Sequence, residues 1–109
     1  REDYKCERCT KRETIEHLLF ECNYTNKIWN FVAEITNTKI TDINDIFCED
    51  IVKLTINAEI IKRLQNIKRP NINVKTFVKG VIIYLSNVDF KKRRLYNKIM
   101  TKAKNGRQQ

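Results

Sequence analysis

The chain has 109 residues and a formal net charge of +9, with 41% hydrophobic residues but only two glycines and one proline. This length suits a single domain, 1–109, and the apolar content excludes a compositionally disordered chain. No apolar run approaches the roughly eighteen residues of a membrane span, and the N-terminus lacks a signal-peptide core, so we expect no membrane partner.

The first part of the domain, residues 1–24, is predicted to begin as a polar loop over about 1–13. A short helix is expected next, over about 14–21, with Thr14 as its N-cap. Its apolar residues recur at helical spacing: Ile15, Leu18 and Leu19.

The second part, residues 25–67, is predicted to be a helical core. Its first helix runs from near Thr25 to 36–38, with one apolar face formed by Ile28, Trp29, Val32 and Ile35. The segment from Ile40 to Ile46 fits an extended segment or a capped turn, and we interpret it as irregular. The apolar spacing of Ile51, Leu54, Ala58, Ile61 and Leu64 predicts a helix over about 50–66. The Glu49-Asp50 pair before it is expected to cap this helix.

The third part, residues 68–109, follows Pro70, which disfavours helix in the residue before it. Asn73 can cap a helix with the broad apolar stripe Val74, Phe77, Val78, Val81, Ile82 and Leu85. A further helical pattern in Leu95, Ile99 and Ala103 either continues the same rod, for about 48 Å in total, or restarts at Ser86-Asn87. Apolar content thins after Phe90, so we expect the last turns to stand clear of the core.

The positive charge is concentrated in this third part. Residues 1–67 hold ten Lys or Arg against twelve Asp or Glu, whereas residues 68–109 hold twelve against one. Such segregation favours an anionic partner, although a solvated lysine-rich surface, or the lysine-rich composition of an AT-biased genome, remains an alternative.

The candidate nucleic-acid-binding residues are the basic residues of this part. The densest run is Lys91, Lys92, Arg93 and Arg94. Lys68, Arg69, Lys75, Lys79, Lys98, Lys102 and Lys104 extend it. Tyr84, Phe90 and Tyr96 are candidates for stacking on bases, although aromatic residues at helical spacing more often belong to a core.

Four metal-ligand residue types cluster near the N-terminus with the spacing C-x2-C-x7-H-x4-C: Cys6, Cys9, His17 and Cys22. A Cys3His set fills the tetrahedral coordination of zinc and leaves no position for substrate, so one structural Zn²⁺ is predicted. The alternatives are disulfides in an oxidising compartment, or a chance grouping of buried thiols. Cys48 stands apart and is interpreted as a buried small apolar residue.

This cluster resembles the zinc-binding segment near the C-terminus of non-LTR (LINE-type) retrotransposon reverse transcriptases. The resemblance rests on Cys6, Cys9, the stretch ETIEHLLFEC over 13–22, and the Ile28-Trp29 pair. Beyond residue 29 it is looser and consists of a lysine-rich helical tail with a proline before the last helices. It implies an accessory domain that works with parent reverse transcriptase domains, in the nucleus or a cytoplasmic ribonucleoprotein.

Independent catalysis is not expected. The only histidine is assigned to zinc, no Gly-rich phosphate loop is present, and the carboxylates after Cys22 are scattered. The predicted fold is therefore mostly α, with a small zinc-stabilised N-terminal module, a helical bundle and a long basic C-terminal helix. The predicted function is a structural-zinc domain that binds RNA or DNA, and the alternative is a zinc-ordered adaptor for protein interactions.

Overall fold

The structure, a computed structural model, describes residues 22–66 and 73–105. These residues form four α-helices and no strand: α1 (Asn23–Thr36), α2 (Ile51–Asn66), α3 (Val74–Val88) and α4 (Arg93–Asn105). Two 3₁₀ turns, Ile43–Ile46 and Phe90–Lys92, precede α2 and α4. The mostly helical prediction is confirmed for this part of the chain, and none of its helices is long and apolar enough to cross a membrane. The predicted zinc module, its helix over 14–21 and the Pro70 boundary lie outside the described residues.

Helix α1 forms as the sequence predicts. Its stripe residues Ile28, Trp29, Val32 and Ile35 are at most 2% exposed. The helix ends at Asn37, which adopts the left-handed conformation with φ 56°, and the N–H of Thr38 donates to the carbonyl of Ala33 at 3.0 Å. This left-handed C-cap satisfies carbonyls that the last helical turn leaves without a partner.

The segment before α2 is a capped 3₁₀ turn, one of the two forms that its sequence allowed, so the interpretation of it as irregular was wrong. Asp42 accepts from the N–H of Asn44 at 2.7 Å, and Asp45 Oδ2 accepts from the N–H groups of Thr41 and Asp42. The side chain of Asn57 on α2 donates to the carbonyl of Ile46 at 2.7 Å and so attaches the turn to the core.

Helix α2 has the predicted bounds but a different buried face. Asp50 caps it as expected, because its Oδ1 accepts from the N–H groups of Val52 and Lys53. The buried apolar residues are Val52, Ile56, Ile60 and Leu64, whereas Ile51 is 57% exposed. The predicted stripe was therefore wrong at Ile51 and Ala58, which are exposed, whereas Leu64 is buried and Ile61 packs half-buried against the core. Both stripes have helical spacing, and the chain buries the one made mainly of β-branched residues.

Residues after Asn73 form a helical hairpin instead of the predicted long C-terminal helix. Asn73 caps α3 as expected, accepting from the N–H of Thr76 at 2.8 Å. Asp89 leaves the helical conformation with φ −115° and ψ 75°, so the helix breaks there and not at Ser86-Asn87. The prediction that the last turns stand clear of the core was also wrong, because Tyr96, Met100 and Ala103 are buried.

Helix α3 is the centre of the bundle, since it contacts α1, α2 and α4. Its most extensive contact is with α4, which a four-residue connection folds back along it. Val78, Val81 and Ile82 of α3 meet Trp29 of α1 and Tyr96 of α4 within one continuous hydrophobic core. One side of α4 is buried by this packing, and the opposite side is exposed to solvent.

Candidate nucleic-acid interface

Three cations form a row on the exposed side of α4: Arg94, Lys98 and Lys102. They lie four residues apart, about 6 Å along the axis from one to the next, and all three are exposed. The buried residues Tyr96 and Met100 lie on the opposite side of the helix. We call Arg94, Lys98 and Lys102 the α4 basic stripe.

No carboxylate of α4 neutralises this stripe, because the helix contains no Asp or Glu. Residues 73–105 as a whole hold nine Lys or Arg and one acidic residue, Asp89. Asp89 accepts a hydrogen bond from the hydroxyl of Tyr96 at 3.3 Å. The cations of the stripe therefore repel one another without compensation from their own helix, an arrangement that an external polyanion would relieve.

The dense run of four cations does not act as one unit. Lys91 and Arg94 are exposed, whereas Lys92 is half-buried. Arg93 has a structural role, since its Nε donates to the carbonyl of Ser86 at 2.8 Å. Its guanidinium also lies over the ring of Phe90, 4.9 Å from the centroid. Arg93 thus joins the end of α3 to the start of α4.

The remaining candidate cations occupy different places. Lys75 and Lys79 are half-buried in the first two turns of α3, at the far end of that helix from the run after Val88. Lys104 is exposed near the end of α4. Lys68 and Arg69 lie outside the described residues. The structure therefore brings Arg94, Lys98 and Lys102 into one row but does not bring the α3 lysines to the run.

The three candidate aromatic residues also separate. Tyr96 is fully buried, so it cannot stack on a base, and burial followed by the charge of Asp89 raises the pKa of its hydroxyl above the ordinary 10.0. Tyr84 is 42% exposed and lies under the guanidinium of Arg63, 5.1 Å from the ring centroid. Phe90 is 70% exposed. Only Phe90 combines wide exposure with a position inside the basic run.

The predicted zinc site is described only at its last ligand. Cys22 is buried, 3% exposed, and lies directly before α1. Cys6, Cys9 and His17 fall outside the described residues, and the described ones contain no other cluster that could hold a metal ion. The donor set fits zinc chemically, since three thiolates and an imidazole complete a tetrahedral shell. Cys48 is half-buried, not buried as predicted, because it lies in the loop between a 3₁₀ turn and α2.

Sequence reasoning missed a groove of about 610 Å³ beside the α4 basic stripe. It lies between α4 and the start of α2, and its lining includes the apolar side chains of Val52, Leu95 and Ile99 together with Lys53, Lys98 and Lys102. Asp50 also lines it, with Oδ1 engaged by two backbone N–H groups. The only signal in the sequence was the alternation of Leu95 and Ile99 with Lys98 and Lys102.

The described part of the chain is thus a small helical domain with a strongly basic terminal hairpin. No family model, curated protein or solved structure matches the chain. Its function is therefore inferred from its own residues.

Proposed function

We propose that this chain is a zinc-stabilised accessory domain that binds the backbone of RNA or DNA within a retrotransposon reverse transcriptase or a protein derived from one. Its contribution is binding, and the chemistry of the parent protein takes place in other domains. Its place of work is the nucleus or a cytoplasmic ribonucleoprotein, where a reverse transcriptase meets its template.

The observation that carries the proposal is the α4 basic stripe. Arg94, Lys98 and Lys102 present three charges in a row on a helix without carboxylates, and the buried face of that helix fixes them to the core. A row of fixed cations binds a phosphate backbone of any sequence and releases its counterions. Lys91 stands at the N-terminal end of the row and extends it.

The role proposed for zinc is to cross-link the segment before α1 to the start of that helix. Cys6, Cys9, His17 and Cys22 would hold the ion, and its chemistry there is structural. Support comes from the donor set and from the burial of Cys22 next to α1, whose Trp29 lies in the core. The ion thereby stabilises the scaffold that carries the basic hairpin, without contacting phosphates itself.

A salt titration tests the proposal. The chain should bind random-sequence oligonucleotides, and log K should fall linearly with log salt concentration. Changing Arg94, Lys98 and Lys102 together to Gln should lower affinity for every sequence. It should also flatten the slope by up to about 2 on single strands and about 3 on duplex, because each lost phosphate contact removes about 0.7 or 0.9.

The matched control replaces three exposed lysines outside the hairpin, Lys27, Lys39 and Lys62, with Gln. This variant loses the same formal charge as the stripe variant, but its lysines lie outside the proposed interface, so it should retain most of the affinity and nearly the parent slope. Equal losses in the two variants would show that net charge alone attracts the oligonucleotide. A parent chain that binds no oligonucleotide at low salt would contradict nucleic-acid binding altogether.

The groove beside the stripe favours the second candidate, an adaptor that binds an acidic protein partner. Its apolar floor suits aliphatic side chains, and Lys53, Lys98 and Lys102 suit flanking carboxylates. An acidic amphipathic helix has both features. The candidates separate in the same titration, since the adaptor predicts no oligonucleotide binding even at low salt.

A further inference from the structure

Phe90 is the most exposed large apolar side chain that the structure describes, at 70%. It begins the 3₁₀ turn between α3 and α4 and is followed directly by Lys91 and Lys92. An aromatic ring facing water among cations adds nothing to the hydrophobic core. Its wide exposure leaves the ring accessible to a binding partner.

Arg93 fixes the ring from one side. Its guanidinium lies 4.9 Å from the ring centroid, and its Nε donates to the carbonyl of Ser86 at 2.8 Å. The hydrogen bond holds the guanidinium, and the cation–π contact holds the ring, so little side-chain entropy remains to be lost on binding. These contacts restrain the Phe90–Arg93 pair before any ligand binds.

Phe90 lines a shallow surface depression of about 570 Å³. Lys91, Arg93, Arg94, Leu95 and Asn97 line it together with Phe90. This lining supplies what a nucleotide requires: an aromatic face for the base, cations for the phosphates, and in Asn97 an amide that can both donate and accept a hydrogen bond. The depression adjoins the α4 basic stripe through Arg94.

We propose that Phe90 stacks on an unpaired nucleobase of single-stranded RNA or DNA, while Lys91 and Arg94 bind the flanking phosphates. This inference rests on the proposed function, because the stripe supplies the backbone grip. It adds a substrate class, which is unpaired RNA or DNA. The bases of a duplex stay stacked on one another, so only a single strand, loop or end can present a base to Phe90.

The test measures the affinity of Phe90→Ala for four oligonucleotides of equal length: single-stranded RNA, single-stranded DNA of the same sequence, duplex DNA, and a single strand with abasic sites throughout. The affinity of the variant for the two base-bearing single strands should be about 5- to 160-fold lower, as for other base–aromatic stacks. Phe90→Ala should bind the duplex and the abasic strand as tightly as the parent chain does. The RNA and DNA arms show which strand the site prefers.

Two further variants keep the result interpretable. Phe90→Tyr preserves the aromatic face and should restore binding, whereas Val88→Ala removes another exposed apolar side chain, 56% exposed, and should leave affinity unchanged. A fluorescent adenine analogue in the single strand should be quenched by the parent and not by Phe90→Ala. If Phe90 has only a structural role, the parent chain does not quench the analogue.

The outcomes separate this inference from the proposed function. If the parent binds with a steep salt dependence and Phe90→Ala binds single strands within twofold of it, stacking is overturned and backbone binding stands. An equal loss on abasic strands also overturns stacking, because no base is present there. If the parent binds no oligonucleotide, both the stacking inference and the proposed function are overturned.

Discussion

At the scale of single residues, adjacent cations in one run have different roles. A helix turns about 100° per residue, so neighbours in sequence point in different directions. Arg93 faces the end of α3 and donates to Ser86, while Arg94 begins the exposed stripe. In the composition each of these two residues counts as one positive charge. Their surroundings in the structure distinguish Arg93, a structural cation, from Arg94, a candidate binding cation.

We therefore expect Arg93→Gln to destabilise the fold by about 1 kcal/mol, since it removes a hydrogen bond to a backbone carbonyl together with a cation–π contact. Arg94→Gln should change the free energy of unfolding by less than about 0.5 kcal/mol, as is usual for exposed positions. Urea denaturation of the two variants measures both values. Equal stability of the two would mean that the Arg93–Ser86 bond contributes nothing to the hairpin.

At the scale of elements, sequence patterns predicted where helices begin more reliably than which face they bury. Asp50 and Asn73 were recognisable as N-caps because their side-chain oxygens can accept from N–H groups of the first turn, and both do so. The buried face of α1 was recognisable because α1 has only one apolar stripe. Helix α2 has two overlapping stripes, and contacts with α3, which no local pattern encodes, decide between them.

The sequence allowed a break at Ser86-Asn87 as one alternative but did not locate it at Asp89, for a related reason. No proline or glycine marks it, and residues 86–93 have the polar character of an exposed helical turn. Folding back allows Tyr96, Met100 and Ala103 to bury their side chains, which a straight rod would leave in water. The apolar gain of this packing decides the fold there, although the local sequence is compatible with a continuous helix.

The hairpin predicts a stability difference between two neighbouring residues of α4. Met100→Ala should destabilise the domain by about 2 to 3 kcal/mol, because Met100 is 9% exposed and its removal leaves a cavity in the core. Thr101→Ala, at an exposed position, should cost less than about 0.5 kcal/mol. Thermal and urea unfolding measure the difference. A helix standing clear of the core would give two small and similar values.

At the scale of the whole molecule, the charge asymmetry corresponds to a division of the bundle. Residues 22–66 hold five Lys or Arg and six Asp or Glu, and they form α1 and α2, while the terminal hairpin carries the positive charge. Counting charges along the sequence identified the basic segment 68–109, because sign and position are local information, but did not show that part of it folds as a hairpin. The α4 basic stripe and the exposure of Phe90 required the fold, since the first depends on which side of α4 is buried and the second on the conformation of the turn before α4.

The proposed zinc site also concerns the whole molecule, and the two cysteines of the described region provide a matched test of it. Cys22→Ser should abolish the binding of one zinc ion per chain, whereas Cys48→Ser should retain it, because only Cys22 has the predicted ligand spacing. Metal analysis of protein purified without chelator gives the ratio. Zinc retained by Cys22→Ser, or lost from Cys48→Ser, would contradict the ligand set.

Removal of the ion from the parent chain should unfold the N-terminal module, since zinc binding to structural peptides provides about 10 to 16 kcal/mol at neutral pH. The hairpin should respond less, because α3 and α4 pack on each other through apolar residues far from Cys22 in sequence. Amide hydrogen exchange with and without a strong chelator measures both regions in one experiment. We expect protection to fall from residue 22 into α1 and to persist at Val81, Ile82 and Tyr96. If α1 stays protected after chelation, zinc does not stabilise the fold. If chelation instead removes protection from α3 and α4 as well as from α1, the domain folds as one unit around the ion.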